Sequence, residues 1–334
     1  MPELRQNVAT KEWVIIATDR ARRPADFADL KRPFTHSRPA RVSSCPFCPG
    51  NETSSAPPVL EVRSEGGWDL RVVPNKFPAL SNGAEVERSF EGISRRMSGF
   101  GVHEVLVESP RHNTTSGLLK DDEVARTLRA MRDRGRELAK DPRLMMTIYF
   151  KNHGSAAGTS LEHPHCQMIS LPVVPHQIRQ RLGDAMAYFD ETGNCVYCDM
   201  VRQELEAGSR VVVEGEHFVA FLPFAALSPF HLWILPRRHM PIFTQASDKE
   251  LASLASVLRE TLARLYFGLG DPDFNYVIRS APSHEERSRS FHWYLSIVPK
   301  VSENAGFELG SGMFINTALP EESAAFLRAV SLPM

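Results

Sequence analysis

The chain has 334 residues, 42% of them hydrophobic and 24% charged, with a formal net charge of −1. These are the values of a soluble globular protein long enough for two ordinary domains or one large one. They exclude a strongly basic nucleic-acid binder. The opening residues hold no apolar run of signal-peptide or membrane-span length, so a cytoplasmic protein with no membrane partner is expected.

Five cysteines, Cys45, Cys48, Cys166, Cys195 and Cys198, include two Cys-x-x-Cys pairs. In a cytoplasmic chain such pairs are read as metal sites or redox pairs before structural disulfides. The Cys45-Pro-Phe-Cys48 string has thioredoxin-like character, yet nothing after Cys48 has the pattern of the helix such a motif opens.

In chain order, the strand "HEVLVESPRH" runs to His112, and Asp121 or Asp122 caps the helix "DDEVARTLRAMRDRGRELAK". The strand "LMMTIYFKN" follows, then the strand carrying His163 and His165. "VVPHQIRQRLGDAMAYFDETGN" has the pattern of a connecting helix. A second series begins at Cys195 and Cys198. Strands "HFVAFLPF" and "HLWILPRRH" run to His239, and Ser247 caps "DKELASLASVLRETLARLYFGL". Strands "NYVIRSA" and "HWYLSIVP" complete it, the last beginning at His292.

The order of parts is the same twice. From His112 to His163 there are 51 residues, and from His239 to His292 there are 53. A duplicated α+β fold is therefore predicted, with an antiparallel sheet and packed helices in each half. Its parts are a first unit over 1–173, a connector over 174–194 and a second unit over 195–334. Each unit offers two thiolates and two imidazoles: Cys45, Cys48, His112 and His163, then Cys195, Cys198, His239 and His292. Such a set suits a closed tetrahedral zinc site. Two zinc ions are expected, the second replaceable by another divalent metal.

Side chains at i and i+2 of an extended chain share a face. With His163 on the metal, His165 is left as a free imidazole, a candidate nucleophile or general base. The preceding "NHGSAAGTSLE" supplies Gly154, Ser155, Gly158, Thr159 and Ser160, small residues whose backbone N–H groups can approach an anion. The second unit reads His292-Trp293-Tyr294 with no such run before it. The chemistry belongs to the first unit.

"NHGSAAGTSLEHPHCQ" resembles the active-site segment of galactose-1-phosphate uridylyltransferases, a branch of the histidine-triad superfamily built from two fused copies of its fold. "WVIIATDRARRP", "CPFC", "VVPNKFPAL", "HEVLVESPRHN" and "AGFELGSGMFIN" extend the likeness nearly end to end. The second Cys-x-x-Cys and the "HW…IVP" strand are similar to the ADP-glucose phosphorylase type within that family. The resemblance implies two tandem histidine-triad-like half-units and a ping-pong nucleotidyl transfer. His165 is implied as the nucleophile and Gln167 as the amide on the α-phosphate. Ser160 and Gly158 hold the β-phosphate or leaving sugar phosphate, and Asn75, Asn152, Arg20 and Arg23 lie near the nucleotide. Asn316 lies where many relatives carry a glutamine near the hexose phosphate. The implied reaction is uridylyl transfer from UDP-glucose to galactose 1-phosphate. The alternatives are phosphorolysis of ADP-glucose by inorganic phosphate and hydrolysis of the histidine-triad type. The substrates are thus a nucleotide sugar with a sugar 1-phosphate or phosphate, and a homodimer is implied.

His36, His103, His153, His176, His217, His231 and His284 are read as surface or packing residues. Cys166, beside the nucleophile, is expected to face the buried side as a small core residue. A zinc-ribbon nucleic-acid binder fits neither the net charge nor ligands spread over more than a hundred residues.

Overall fold

The computed structural model describes residues 1–20, 22–29, 33–83, 85–303 and 305–333. The side chain of Arg20 lies outside what is described.

Short N-terminal strands β1 (Glu3–Gln6) and β2 (Trp13–Ile16) precede a long looping segment that carries Cys45 and Cys48. Then come β3 (Leu60–Ser64), β4 (Gly67–Pro74), an exposed ribbon of β5 (Arg88–Glu91) and β6 (Ser94–Met97), and β7 (Val102–Val107). Helix α1 (Asp121–Leu138) leads to β8 (Met146–His153) and β9 (His165–Leu171). Helices α2 (His176–Thr192) and α3 (Val196–Ala207) are followed by β10 (Val211–Glu214), β11 (Phe218–Phe221) and β12 (Leu232–Pro236). Helix α4 (Asp248–Leu269), β13 (Phe274–Arg279) and β14 (Tyr294–Pro299) complete the second series. Helix α5 (Gly306–Ser311), β15 (Phe314–Asn316) and α6 (Pro320–Ala329) close the chain, with β15 parallel to β2.

Ten strands form one antiparallel sheet in the order β10-β11-β12-β14-β13-β8-β9-β7-β4-β3. Read outward from the centre, each half has the same five-strand order, so the duplication predicted from spacing is a pseudo-twofold sheet joined at β8 and β13. Registers fix the equivalences. Gln167 lies opposite Val105 and Phe150, as Ser296 lies opposite Trp233 and Val277. Phe150 and Val277 face each other across the central seam, where the pseudo-axis passes. His165 therefore corresponds to Tyr294, His163 to His292, His103 to His231 and Asn152 to Arg279.

Strand alternation sends Cys166, Met168, Leu295 and Ile297 to a core covered by α1 and α4. On the opposite face the second half is covered: Tyr294, Trp233 and Leu235 pack with Val196, Tyr197 and Met200 of α3 and Ala185 of α2. On the first half that face holds only a small cluster around Phe47, Trp68, Val105 and Val107.

Local boundaries correct several expectations. The cap of α1 is Lys120 rather than Asp121 or Asp122, because the Glu123 carboxylate reaches back to accept from Lys120 N–H at 2.9 Å. Ser247 does cap α4, with Glu250 closing the reciprocal bond. Strand β7 stops at Val107 and β12 at Pro236, so His112 and His239 sit in the turns beyond them. Likewise β9 and β14 start two residues after His163 and His292. Strand alternation thus does not orient His163; the loop that delivers it does.

Candidate active site

Four buried donors from three separate segments meet at the ends of β7 and β9. One Sγ each from Cys45 and Cys48 and one ring nitrogen each from His112 and His163 lie within 4.8 Å of one another. His163 Nε2–H donates to Ser109 O at 2.8 Å, which leaves Nδ1 with its lone pair. That nitrogen is 3.3 Å from His112 Nδ1 and 3.6 Å from Cys48 Sγ, and His112 Nδ1 is 3.5 Å from the same sulfur. A tetrahedral zinc with bonds of about 2.0–2.1 Å to nitrogen and about 2.3 Å to sulfur has N–N edges of about 3.4 Å and N–S edges of about 3.6 Å. The donor spacing matches those edges. Burial, the main cause, also pulls His163 down to about 4 and lowers His112, so both rings are neutral at neutral pH, the form a metal would need.

The second cluster repeats this. Cys198 Sγ is 3.4 Å from Nδ1 of both His239 and His292, and His239 Nε2–H donates to Ser288 O at 2.9 Å. Cys195 caps α3, a helix the sequence reading did not anticipate. Hydrogen bonds from Cys198, then His239 and His292, hold the Cys195 thiol far below its usual value. A helix start beside two imidazoles favours the thiolate a metal needs.

His165 opens β9 on the face away from the helices and is only 7% exposed. Its Nδ1 is 2.8 Å from the carbonyl oxygen of His163, which can only accept. The hydrogen is therefore on Nδ1, and Nε2 keeps its lone pair. Burial depresses the ring's basicity further, so it is neutral. Phe47 packs against both rings, at 6.1 Å from His163 and 5.6 Å from His165. One residue thus fixes the angle between the metal-site histidine and its neighbour.

Two clefts meet at His165. One, of about 250 Å³, is lined by Asn152, His153 and the 154–160 loop; the other, of about 440 Å³, by Asn75, Phe77, Phe47 and Gln167. Ser160 lines both. Gly154 (φ +82°) and Gly158 (φ +85°) both adopt the left-handed region, and a Cβ on Gly154 would lie 1.8 Å from Asp273 Oδ1. The loop is tied down by the second half. Asp273 Oδ2 accepts from Ala156 N–H at 2.6 Å, and Asn275 Nδ2 donates to Asn152 Oδ1 and Ala157 O, each at 2.8 Å. Asp271 Oδ1 is 2.8 Å from His153 Nε2, while Oδ2 accepts from Thr35 N–H and Oγ1, both at 2.6 Å. Burial alone would raise Asp271, but these donors hold it below its usual range. His153, read from the sequence as bland, is thus a buried strut of the loop.

Behind His165 lies a second layer. Lys151 Nζ and Glu108 Oε1 are 2.6 Å apart, exposed by only 1% and 2%. Cys166 Sγ–H donates to the same carboxylate oxygen, and Ser116 Oγ donates to its other oxygen at 2.9 Å. Burial opposes ionisation of Glu108, yet Lys151 and these donors keep it ionised. Glu108 backbone N–H donates to Pro164 O at 3.1 Å, and Lys151 Nζ lies 3.5 Å from His165 O, so both residues of the pair hold the His163-Pro164-His165 turn. Cys166 is fully buried, as its strand parity predicts.

Of the anticipated residues, His165, Gln167, Ser160, Asn152 and Asn75 line the two clefts, while Gly158 lies in the 154–160 loop without lining either. Arg23 is exposed and lines neither cleft. Asn316 is buried elsewhere, its Nδ2 donating to Ala226 O and its Oδ1 accepting from Ala318 N–H. Its amide is committed to backbone, so in this chain it does not face the site. Arg38, which the sequence reading passed over, lines the 250 Å³ cleft and pairs with Glu162 at 3.4 Å.

A duplicated α+β sheet with one open face, a Cys/His cluster at its edge and a neutral histidine beside a glycine loop is the arrangement of a two-unit enzyme for phosphorylated ligands. Family models for galactose-1-phosphate uridyl transferase match residues 1–175 with their N-terminal domain and residues 181–330 with their C-terminal domain. The chain belongs to this family and is an enzyme with transferase activity. It is 38% identical to an ADP-glucose phosphorylase of Arabidopsis thaliana, covering 99% of this chain and 93% of the relative. It is 32% identical to a galactose-1-phosphate uridylyltransferase of Thermotoga maritima, covering 98% of each. A crystal structure of the Arabidopsis ADP-glucose phosphorylase with bound ADP-glucose superposes over the whole of both chains, with a TM-score of 0.83 and 34% identity. A uridylyltransferase structure gives 0.75 and 28% identity over 98% of each chain.

Proposed function

We propose that this enzyme transfers a nucleoside monophosphate from a nucleoside diphosphate sugar, through a covalent bond to His165, to a phosphate acceptor. The preferred pair is ADP-glucose and inorganic phosphate. UDP-glucose with galactose 1-phosphate, the first expectation from sequence, becomes the second reading. The higher identity and closer superposition of the phosphorylase support that order, as does the Cys₂His₂ set of the second half.

One observation carries the chemistry: the His165 Nδ1–H bond to the His163 carbonyl, which leaves Nε2 unprotonated beside both clefts. Nε2 attacks the α-phosphorus, the N–P bond forms, and the bridging P–O bond breaks to release glucose 1-phosphate. A phosphate oxygen then attacks the same phosphorus, the N–P bond breaks, and ADP leaves. Neither step requires a proton to move, because Nδ1 keeps its hydrogen and the anionic leaving group needs none. The His163 carbonyl stabilises the imidazolium character of the intermediate. Gln167 and Asn75 donate to the α-phosphate oxygens, and the 154–160 backbone with Ser160 receives the departing phosphate.

Cys45, Cys48, His112 and His163 hold zinc, and Cys195, Cys198, His239 and His292 hold zinc or another divalent metal. The ion supplies structural cross-linking; all four protein donors fill its tetrahedron. Elemental analysis of protein purified without chelators returns two metal ions per chain, and Cys198→Ser reduces this to one. Arg20 and Arg23 belong to a cleft completed by a second copy of the chain; Arg23 is exposed and away from both clefts at His165.

The test is trapping. Protein quenched after mixing with [α-32P]ADP-glucose carries acid-labile label, His165→Ala carries none, and inorganic phosphate discharges the label as ADP. Label from UDP-glucose alone, discharged only by galactose 1-phosphate, reverses the two readings. No label from either substrate removes the covalent mechanism.

A further inference from the structure

His103 is not part of the proposed chemistry, yet it sits among the groups that perform it. It lies on β7 two residues before Val105, on the face that carries His165 and Gln167. Its two ring nitrogens have definite partners. Ala79 N–H, which can only donate, is 3.1 Å from Nδ1, so Nδ1 accepts and the ring's hydrogen is on Nε2. Nε2–H is 2.8 Å from Gln167 Oε1, and a donor there demands the amide oxygen, not the nitrogen. Asn75 is oriented by the same logic. Its Oδ1 accepts from Phe77 N–H at 2.9 Å, which turns Nδ2 towards His103 Nε2 at 3.1 Å. Two donors face each other at that contact, so the Asn75 amide hydrogens need an acceptor elsewhere in the cleft both residues line.

We propose that His103 is the positioning residue of the α-phosphate site. Its tautomer, set by the Ala79 backbone, pins the Gln167 oxygen and so points the Gln167 amide nitrogen at the phosphate oxygens. This rests on the nucleotidyl-histidine reading above and adds the group that orients its amide donor.

The second half shows that the arrangement is built into the fold. His231, the counterpart of His103, accepts from Leu227 N–H on Nδ1 at 3.2 Å and places Nε2 2.9 Å from Ser296 Oγ, the counterpart of Gln167. There Nε2 meets a short hydroxyl and also takes the Trp233 indole N–H at 3.1 Å, under a covered face and beside a tyrosine in the nucleophile's position. Only in the first half does the histidine hold a side chain long enough to enter an open cleft.

The experiment compares wild type, His103→Ala, His103→Gln, His103→Leu, Gln167→Ala and the double variant His103→Ala/Gln167→Ala. Each is assayed for single-turnover labelling by saturating [α-32P]ADP-glucose and for melting temperature. His103→Ala and His103→Leu label about ten- to a hundredfold more slowly than wild type, the scale of a misplaced catalytic contact. His103→Gln, whose amide N–H can still meet Gln167, recovers most of that loss. The double variant is no slower than Gln167→Ala, since His103 acts through Gln167. Should His103→Ala fold poorly, the contrast between His103→Gln and His103→Leu decides alone. The inference is overturned if all three His103 variants label within twofold of wild type, if Gln is as slow as Leu, or if the two single losses multiply in the double variant. A wild type that takes no label from ADP-glucose or UDP-glucose sinks the covalent reading itself, and this inference with it.

Discussion

In the first half, the sheet face bearing His165 and Gln167 opens onto clefts; in the second, the equivalent face bearing Tyr294 and Ser296 is roofed by α2 and α3. Tyr294 is fully buried, its ring 4.3 Å from Trp233 and 5.5 Å from Tyr197, and its hydroxyl accepts from Arg181 of α2. The covered layers differ too, and in the opposite sense. Beneath the open face lie Lys151, Glu108 and Cys166; their counterparts are Ile278, Pro236 and Leu295, all apolar. One copy places its polar groups where a substrate can use them and braces them with a buried ion pair. The other spends the same positions on packing. On the proposed function, a duplicated sheet thus divides catalysis from support without changing its strand order.

The sharpest way to break that contrast is to alter each of the two rings in turn. His165→Ala lowers turnover by about 10⁴-fold or more, the scale on which loss of a nucleophile is felt. Tyr294→Phe leaves kcat within about twofold and lowers the melting temperature, because its hydroxyl only anchors Arg181. Steady-state kinetics and thermal melts on the same preparations separate the two. A large kcat defect in Tyr294→Phe would show that the second half joins the chemistry.

The buried pair comes next. Glu108→Leu strands the Lys151 ammonium in the core and destabilises the protein by about 3–5 kcal/mol, as removal of one partner of a buried pair does. The double variant Glu108→Leu/Lys151→Met recovers much of this, since the second half stays folded with apolar residues at these places. Urea unfolding followed by circular dichroism measures both. Equal losses in the single and double variants would mean that the hydrogen bonds of Glu108 to Ser116 and Cys166, not its charge pairing, stabilise the layer.

A third comparison sets Gly154 against Ala281, its counterpart two residues beyond Arg279. Gly154→Ala must place a methyl against Asp273 in a backbone conformation that L-residues avoid, at a cost of about 1–3 kcal/mol. We expect roughly tenfold slower turnover from the displaced loop. Asp273→Ala removes the clash but also the acceptor for Ala156 N–H, so the pair Gly154→Ala/Asp273→Ala regains only part of the rate. Ala281→Gly, on the roofed face, changes stability alone.

Much of this division could be read from the residues in order. Two Cys-x-x-Cys pairs, matched histidine spacings and the change of His-Pro-His to His-Trp-Tyr carry both the duplication and the asymmetry. What escaped is long-range. His103 and His153 differ from any packing histidine only through Gln167, 64 residues away, and Asp271, 118 residues away. The alternating Asp271, Asp273 and Asn275 resembles a polar strand end until β13 is paired with β8. Helix α3 escaped because its first turn was read for cysteines alone, though Gly208 in a left-handed C-cap marks its end. Asn316 was carried over by likeness, and its backbone bonds are invisible in a linear string.

The smallest effect concerns how the paired helices α1 and α4 begin. Helix α4 has a full capping box, Ser247 Oγ accepting from Glu250 N–H at 3.3 Å and the Glu250 carboxylate accepting from Ser247 N–H at 2.9 Å. Helix α1 has only the Glu123 half. Ser247→Ala should therefore cost about 1 kcal/mol, and Lys120→Ser should return a few tenths to about 1 kcal/mol by supplying the missing hydroxyl. Acid sharpens the comparison. Burial alone would raise Glu250, but Arg238 and Ser247 bring it from an ordinary 4.5 down to about 2. A carboxyl with a depressed folded value stabilises the fold above its unfolded value and loses that contribution as pH falls through the folded one. The contribution of Glu250 is thus fully present above about pH 4.5 and disappears towards pH 2. Glu250→Gln should flatten the stability curve across that window while leaving its slope above pH 6 unchanged. A Glu250→Gln curve that runs parallel to wild type from pH 5 to pH 2.5 would assign the acid sensitivity of α4 to other carboxylates.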